Sequence, residues 1–157
     1  MSEKYVACFL GHREIRETEK LKSEISKIVK KLILEKHVDT FLFGSKSRFD
    51  DLCHKILTEY KEKYPHIKRV YVRAEYPEIS DEYKEYLLQS YEDTYYPKTV
   101  INSGKACYIK RNFEMIDRSQ FCVIYYVNDY TDNGKKSGTK IAFDYARKKN
   151  RIVFFLP

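Results

Sequence analysis

Three short segments hold the residue types most capable of chemistry: Gly11-His12-Arg13, Gly44-Ser45-Lys46-Ser47-Arg48-Phe49-Asp50, and Ser137-Gly138-Thr139. Each follows an apolar run, and the second and third lead into helical periodicity. Small residues at a helix start leave backbone N–H groups and the positive end of the helix dipole open to an anion, which suits a phosphate. Arg13, Lys46 and Arg48 supply counter-charge. Arg13 has two uses open to it, a phosphate clamp or a surface salt bridge. His12 either contacts the ligand or caps nearby backbone groups. Asp50 falls in the first turn of its helix, where the dipole alone favours a carboxylate. Arg111 and Asn112 reach a ribose or phosphate if their helix flanks the same place; otherwise Asn112 ties down a loop. For general acid or base work the candidate catalytic carboxylates are Asp50 and Asp117, with Glu114 more remote. Asp117 is otherwise expected to stabilise a turn before a strand.

The elements that must position these residues follow from the apolar pattern. Tyr5–Leu10, Phe41–Phe43, Ile67–Val72, Phe121–Val127 and Ile152–Leu156 are short apolar runs of the kind buried on both faces of a parallel sheet. Between them, Leu21, Ile25, Ile28, Val29 and Leu32 recur at helical spacing over residues 17 to 36. Leu52, Ile56 and Tyr60 share a face of a second helix, capped by Ser47 and ended by Pro65. A further helix is expected from Lys105 to Arg118, and a last one opens at Gly138-Thr139. Residues 75 to 102 are less regular and dense in tyrosine, while Tyr130 to Lys136 is a polar loop with Asn133-Gly134 at its turn. Five strands alternating with helices predict an α/β, Rossmann-like three-layer sandwich with a mostly parallel sheet. The expected strand order is 3-2-1-4-5, with the ligand crevice where the order reverses, between strands 1 and 4.

Composition narrows the class. With 157 residues, 43% of them apolar and only 5 Gly and 4 Pro, residues 1–157 are expected to fold as one domain rather than remain disordered or form a fibre. No apolar run approaches the roughly 20 residues of a membrane helix. The N-terminal residues run straight into a strand-like segment, so no secretory signal peptide and a cytoplasmic location are expected. Cys8, Cys53, Cys107 and Cys122 have neither C-x-x-C spacing nor a nearby His, so no metal site is expected. Cys8 and Cys122 are expected in the core. The net charge of +7 favours anionic ligands. Lys140, Arg147, Lys148, Lys149 and Arg151 are expected to form a solvated face. Nucleic-acid binding is possible but not favoured, because no recognition motif accompanies them. The tyrosines at 76, 83, 86, 91, 95 and 96 could stack on a base, although covering a sheet edge or a dimer contact is the leading expectation.

Several of these motifs occur together in a known arrangement. Cys8-Phe9-Leu10-Gly11-His12-Arg13 resembles the C-F-T-G-H-R opening of the YpsA-like family, within the SLOG superfamily of Rossmann-like nucleotide-ligand binders. Gly44–Asp50 is similar to that family's G-G-A-x-G-F-D element, and Arg111-Asn112-Phe113-Glu114-Met115-Ile116-Asp117 to its R-N-x-x-M-V-D helix. Ser137-Gly138-Thr139 resembles its G-G-T, and Ala146-Arg147-Lys148 the A-x-K that follows. Ser45, Arg48 and Ser137 stand where the family has glycine, which reduces the room for a backbone to approach a phosphate. Phosphoribohydrolases of the superfamily carry a catalytic Glu in P-G-G-x-G-T-x-x-E; here that position is Ala142, with Asp144 on a different helix face.

The resemblance implies a nucleotide or nucleotide-derived ligand that is sensed or sequestered, and a homodimer. The expected ligand site comprises Gly11, His12, Arg13, Gly44, Ser45, Lys46, Arg48, Asp50, Arg111, Asn112, Ser137, Gly138 and Thr139, with the tyrosine-rich segment as lid or subunit contact. The alternative is a hydrolase cleaving an N-glycosidic or phosphate bond.

Overall fold

Short apolar runs closed by glycine or a polar cap become the strands of a central sheet. In the computed structural model, which describes residues 5–127 and 137–156, these are β1 (Val6–Gly11), β2 (Thr40–Phe43), β3 (Lys68–Val72), β5 (Phe121–Tyr125) and β6 (Ile152–Leu156). A sixth strand, β4 (Asp93–Tyr95), lies inside the tyrosine-rich segment. The order is β4-β3-β2-β1-β5-β6, and all five pairings are parallel. The five-strand expectation is therefore corrected to six. The relative order of the expected strands stands, and β4 extends the sheet beyond β3.

The physical reason β4 escapes the apolar pattern is that polar side chains hold it. Glu92, just before it, accepts from the Arg69 backbone N–H at 2.7 Å and from the Arg69 guanidinium at 2.7 and 3.1 Å. The Thr94 hydroxyl donates to the Tyr71 carbonyl and accepts from buried Arg73 at 3.0 Å. Three residues fixed in this way need no hydrophobic alternation.

Helices cover both faces. On one side α1 (Glu19–Leu34) and α2 (Arg48–Lys63) bury Leu21, Ile25, Val29, Leu52, Cys53 and Leu57 against Phe9, Phe41 and Phe43 of the sheet. On the other, α4 (Cys107–Arg118) and α5 (Gly138–Lys148) bury Met115, Ile116, Ala142 and Ala146 against Cys8, Leu42, Cys122 and Ile124. Strand residues alternate between the two cores, as parallel strands buried on both faces must. Cys8 and Cys122 sit side by side in register at the β1–β5 pairing, fully buried. The short helix α3 (Asp81–Leu88), capped by Ser80, is a further element in the segment expected to be irregular. The polar loop expected at Tyr130–Lys136 lies outside the described residues. Among the described residues no helix is long and apolar enough to cross a membrane.

The chain runs from β1 outward to β4, then returns past β1 to β5. The reversal falls between β1 and β5, where ligands of such sheets are expected beyond the carboxyl ends of the strands.

Candidate functional site

A cleft of about 710 Å³ opens there, and it is wider than a crevice between two strands. Its floor runs across the ends of β1, β2 and β3, with α4 on one side and the start of α5 on the other. The volume falls within the usual range for a small-molecule site.

Eleven of the expected residues line it: Gly11, His12 and Arg13 after β1; Gly44, Ser45 and Lys46 after β2; Arg111 and Asn112 on α4; Ser137, Gly138 and Thr139 at the start of α5. Arg48 does not. Its side chain is exposed and pairs with Glu14 at 3.4 Å, while its backbone N–H donates to the Arg13 carbonyl and ties the first two loops together. Asp50 lies beneath the floor, 3% exposed. Asp117 lies six residues beyond Arg111 on α4, roughly 9 Å along its axis, where it accepts from the Tyr145 hydroxyl at 2.8 Å. Neither catalytic candidate is among the residues lining the cleft.

The glycines do different work from the one their phosphate-loop appearance implies. A Cβ on Gly11 would lie 2.7 Å from the Phe49 Cβ, so Gly11 lets Phe49 pack under the end of β1. A Cβ on Gly44 would lie 2.6 Å from Arg111 Cδ and 2.7 Å from Met115 Sδ, so Gly44 lets α4 close onto the sheet. At Gly138 a Cβ would meet nothing within 4 Å among the described residues. This is the one of the three glycines that leaves space for something else.

Asp50 organises the second loop from below. Its carboxylate accepts from the backbone N–H groups of Gly44 at 3.3 Å and Ser45 at 3.2 Å, and from the Ser47 hydroxyl at 3.2 Å. Ser47 in turn caps α2 by accepting from the Asp50 N–H at 3.0 Å. The two N–H groups that a phosphate was expected to use point inward at Asp50 instead. Burial pushes the Asp50 carboxyl up from its ordinary value of 3.8 to about 7, against the opposing pull of these hydrogen bonds and of Arg111.

Arg111 is buried, donates to the Gly44 carbonyl, and is held by the Asn112 side-chain oxygen at 3.0 Å. His12 accepts from the Val127 N–H at 2.9 Å through Nε2, joining the loops after β1 and β5. That is the backbone-capping role. Among the described residues, the Arg13 and Lys46 side chains have no acidic partner, and α5 begins beside them with Ser137 as its cap.

Eight more residues line it, Ser47 among them; Tyr76 and Tyr83 belong to the tyrosine group that could stack on a base, and the other six fall outside the expected set. Tyr71, Arg73, Ala74, Glu75 and Tyr76 follow or end β3, Tyr83 sits on α3, and Tyr108 on α4. Buried Arg73 donates to the carbonyls of Tyr76 at 3.1 Å and Pro77 at 3.4 Å. It holds Tyr76 in a left-handed conformation, φ 60°, unusual for so large a residue. The Tyr108 hydroxyl donates to Glu75 across this end of the cleft. One sequence signal was available: Val72-Arg73 leaves the third strand much as Gly11-His12-Arg13 leaves the first.

In the basic group at the end of the chain, Arg147, Lys148 and Lys149 are exposed, as a solvated face requires, and four of the five side chains have neighbours within the protein. Lys140 pairs with Asp144 at 2.9 Å, Arg147 lies over Phe143, Lys149 over Tyr145, and Arg151 donates to the carbonyls of Ile116 and Asp117. Compared with known proteins, the chain matches no family model and no curated protein.

Proposed function

We propose that this protein binds a nucleotide or nucleotide-derived small molecule in the cleft and acts as its sensor or sequestering protein. The observation that carries the reading is the convergence of the unpaired Arg13 and Lys46 with the open start of α5 at one end of a cleft whose other end is lined by tyrosines. The phosphate sits against the N–H groups of Gly138 and Thr139, with Arg13 and Lys46 as counter-charge. The Gly44–Ser45 turn shapes the floor without donating to the phosphate, since Asp50 already takes both N–H groups.

The hydrolase alternative needs a carboxylate next to the scissile bond. With Asp50 under the floor, Asp117 on the far part of α4, and the Glu75 carboxylate already accepting from the Tyr108 hydroxyl at the tyrosine end, binding without turnover is the better supported reading. A homodimer and a cytoplasmic location, expected from the resemblance and the sequence, belong to the same proposal. The exposed Tyr86 and Leu88 of α3 are its subunit contact; a monomer in sedimentation at micromolar concentration would remove that part.

The test is mass spectrometry of the purified chain, native and then denatured, after incubation with nucleoside mono- and diphosphates, alongside thermal melts. Retention of an unchanged nucleotide and a raised Tm are expected. Gly138→Trp puts a bulky side chain where an added Cβ meets no described atom, and should abolish the ligand-induced shift in Tm. A full shift in that variant would sink the placement, and release of free base or a shorter phosphate would establish the hydrolase.

A further inference from the structure

The cleft carries opposite charge at its two ends. Among the described residues lining it Glu75 is the only acidic one, and it belongs to the loop after β3. Arg13 and the start of α5 belong to the β1–β5 side, two strand spacings away, roughly 10 Å. Lys46 follows β2, next to that side, and the other two lining arginines are committed: Arg73 to the carbonyls of Tyr76 and Pro77 and to Thr94, Arg111 to Gly44 and Asn112. An anionic group is therefore welcome at one end and repelled at the other.

The Glu75 end is also built for a ring. Tyr76 is 58% exposed, and its ring meets that of Tyr83 edge-on with centroids 6.5 Å apart. Its left-handed backbone is held in place by a buried arginine rather than relaxed into an ordinary turn. Strain of this kind, maintained by a dedicated buried group, is characteristic of segments that present side chains to a ligand. Glu75 accepts from the Tyr108 hydroxyl on Oε1, which fixes the carboxylate across the mouth and leaves Oε2 and the second lone pair of Oε1 to accept two adjacent donors.

Building on the nucleotide reading above, we propose that the Glu75–Tyr76 loop is a nucleobase subsite selective for guanine: the base stacks on Tyr76, and the Glu75 carboxylate accepts its N1–H and exocyclic amino group. Guanine is the common base with two adjacent donors on one edge, the pattern that a carboxylate matches. Adenine and cytosine place a ring-nitrogen acceptor beside their amino group, which a carboxylate opposes. Uracil places a carbonyl on each side of its single N–H. The ligand class is thus a guanine nucleotide with its phosphate toward Arg13 and α5.

Calorimetric titration of the full chain with GMP, IMP and AMP tests this. GMP is expected to bind at least about tenfold more tightly than IMP, which lacks the amino group, and than AMP; one matched donor–acceptor pair supports a preference of that size. Glu75→Gln should bring the three within about threefold by weakening GMP most and IMP, which shares the N1–H, less, with Tm unchanged because Glu75 is exposed. Tyr76→Ala should weaken all three together, since stacking is tolerant of base identity. If GMP and AMP bind equally and Glu75→Gln alters neither, the guanine subsite is overturned while the nucleotide reading stands. If none of the three binds, both fall.

Discussion

At the Arg13 end of the cleft the backbone is positioned by what is missing from it: Gly11 admits Phe49, Gly44 admits Arg111 and Met115, and Gly138 leaves open space. At the Glu75 end it is positioned by what has been buried, with Arg69 gripping Glu92 and Arg73 gripping Thr94, Tyr76 and Pro77. The first construction depends on steric fit and, at Gly11 and Gly44, tolerates no added carbon. The second depends on satisfied donors and tolerates no lost nitrogen. Affinity for a phosphate and discrimination of a base can therefore be altered separately.

Asp50 is where the contrast breaks most sharply, because it is a buried polar group under the sterically built end. Its carboxyl is held up from 3.8 to about 7, a difference on the order of 4 kcal/mol in the native state's favour for the protonated form. A raised folded value means stability is fully present below about pH 4 and is lost as pH rises to about 7. Asp50→Asn keeps an acceptor for the Gly44 and Ser45 N–H groups and cannot titrate. Thermal melts at pH 4.5 and 7.5 should show the variant gaining on the parent by several degrees at the higher pH; a gap independent of pH would refute it.

A smaller effect is expected from Gly44→Ala, about 2 kcal/mol by denaturant unfolding, because the new methyl meets Arg111 and Met115 at contact distances shorter than any real Cβ adopts. Gly138→Ala, with nothing within 4 Å, should cost less than about 0.5 kcal/mol. Equal costs at the two positions would erase the distinction between packing glycine and open glycine. Arg73→Met should lower stability by about 1–2 kcal/mol through the unpaired carbonyls of Tyr76 and Pro77. Its larger effect should fall on base preference, reducing the GMP to AMP ratio toward one while leaving the response to salt intact. Lys46→Ala should do the reverse and change Tm least of all: weaker binding of every nucleotide by about fivefold, and a shallower salt dependence, measured by titration at 50 and 200 mM salt.

The same contrast explains which parts of the molecule could be read from the chain. Tyr5–Leu10 closed by Gly11, and Phe41–Phe43 closed by Gly44, are apolar runs with a stop, and hydrophobic pattern is the strongest local signal a strand gives. The residues just past those stops, with Ser137–Thr139, lie together in the structure as their positions past strands required. Strand β4 and helix α3 gave no such signal. The stabilising partners of β4, Arg69 with Glu92 and Arg73 with Thr94, stand more than 20 residues apart and are polar, so no window of local pattern contains them. Asp50 shows the limit in another form: its place in a first helical turn was legible, but not that it would face inward and take the two N–H groups of the loop above it.

That inward-facing carboxylate has a consequence for the timing of binding. Because Gly44 and Ser45 already have an acceptor in the free protein, their amide hydrogens should exchange slowly with deuterated solvent before any nucleotide is added, and no more slowly afterwards. The amides of Gly138 and Thr139, which meet no acceptor among the described residues, should be the ones that a ligand protects. The cleft would then meet its ligand with a floor already rigid and a single helix start left to respond.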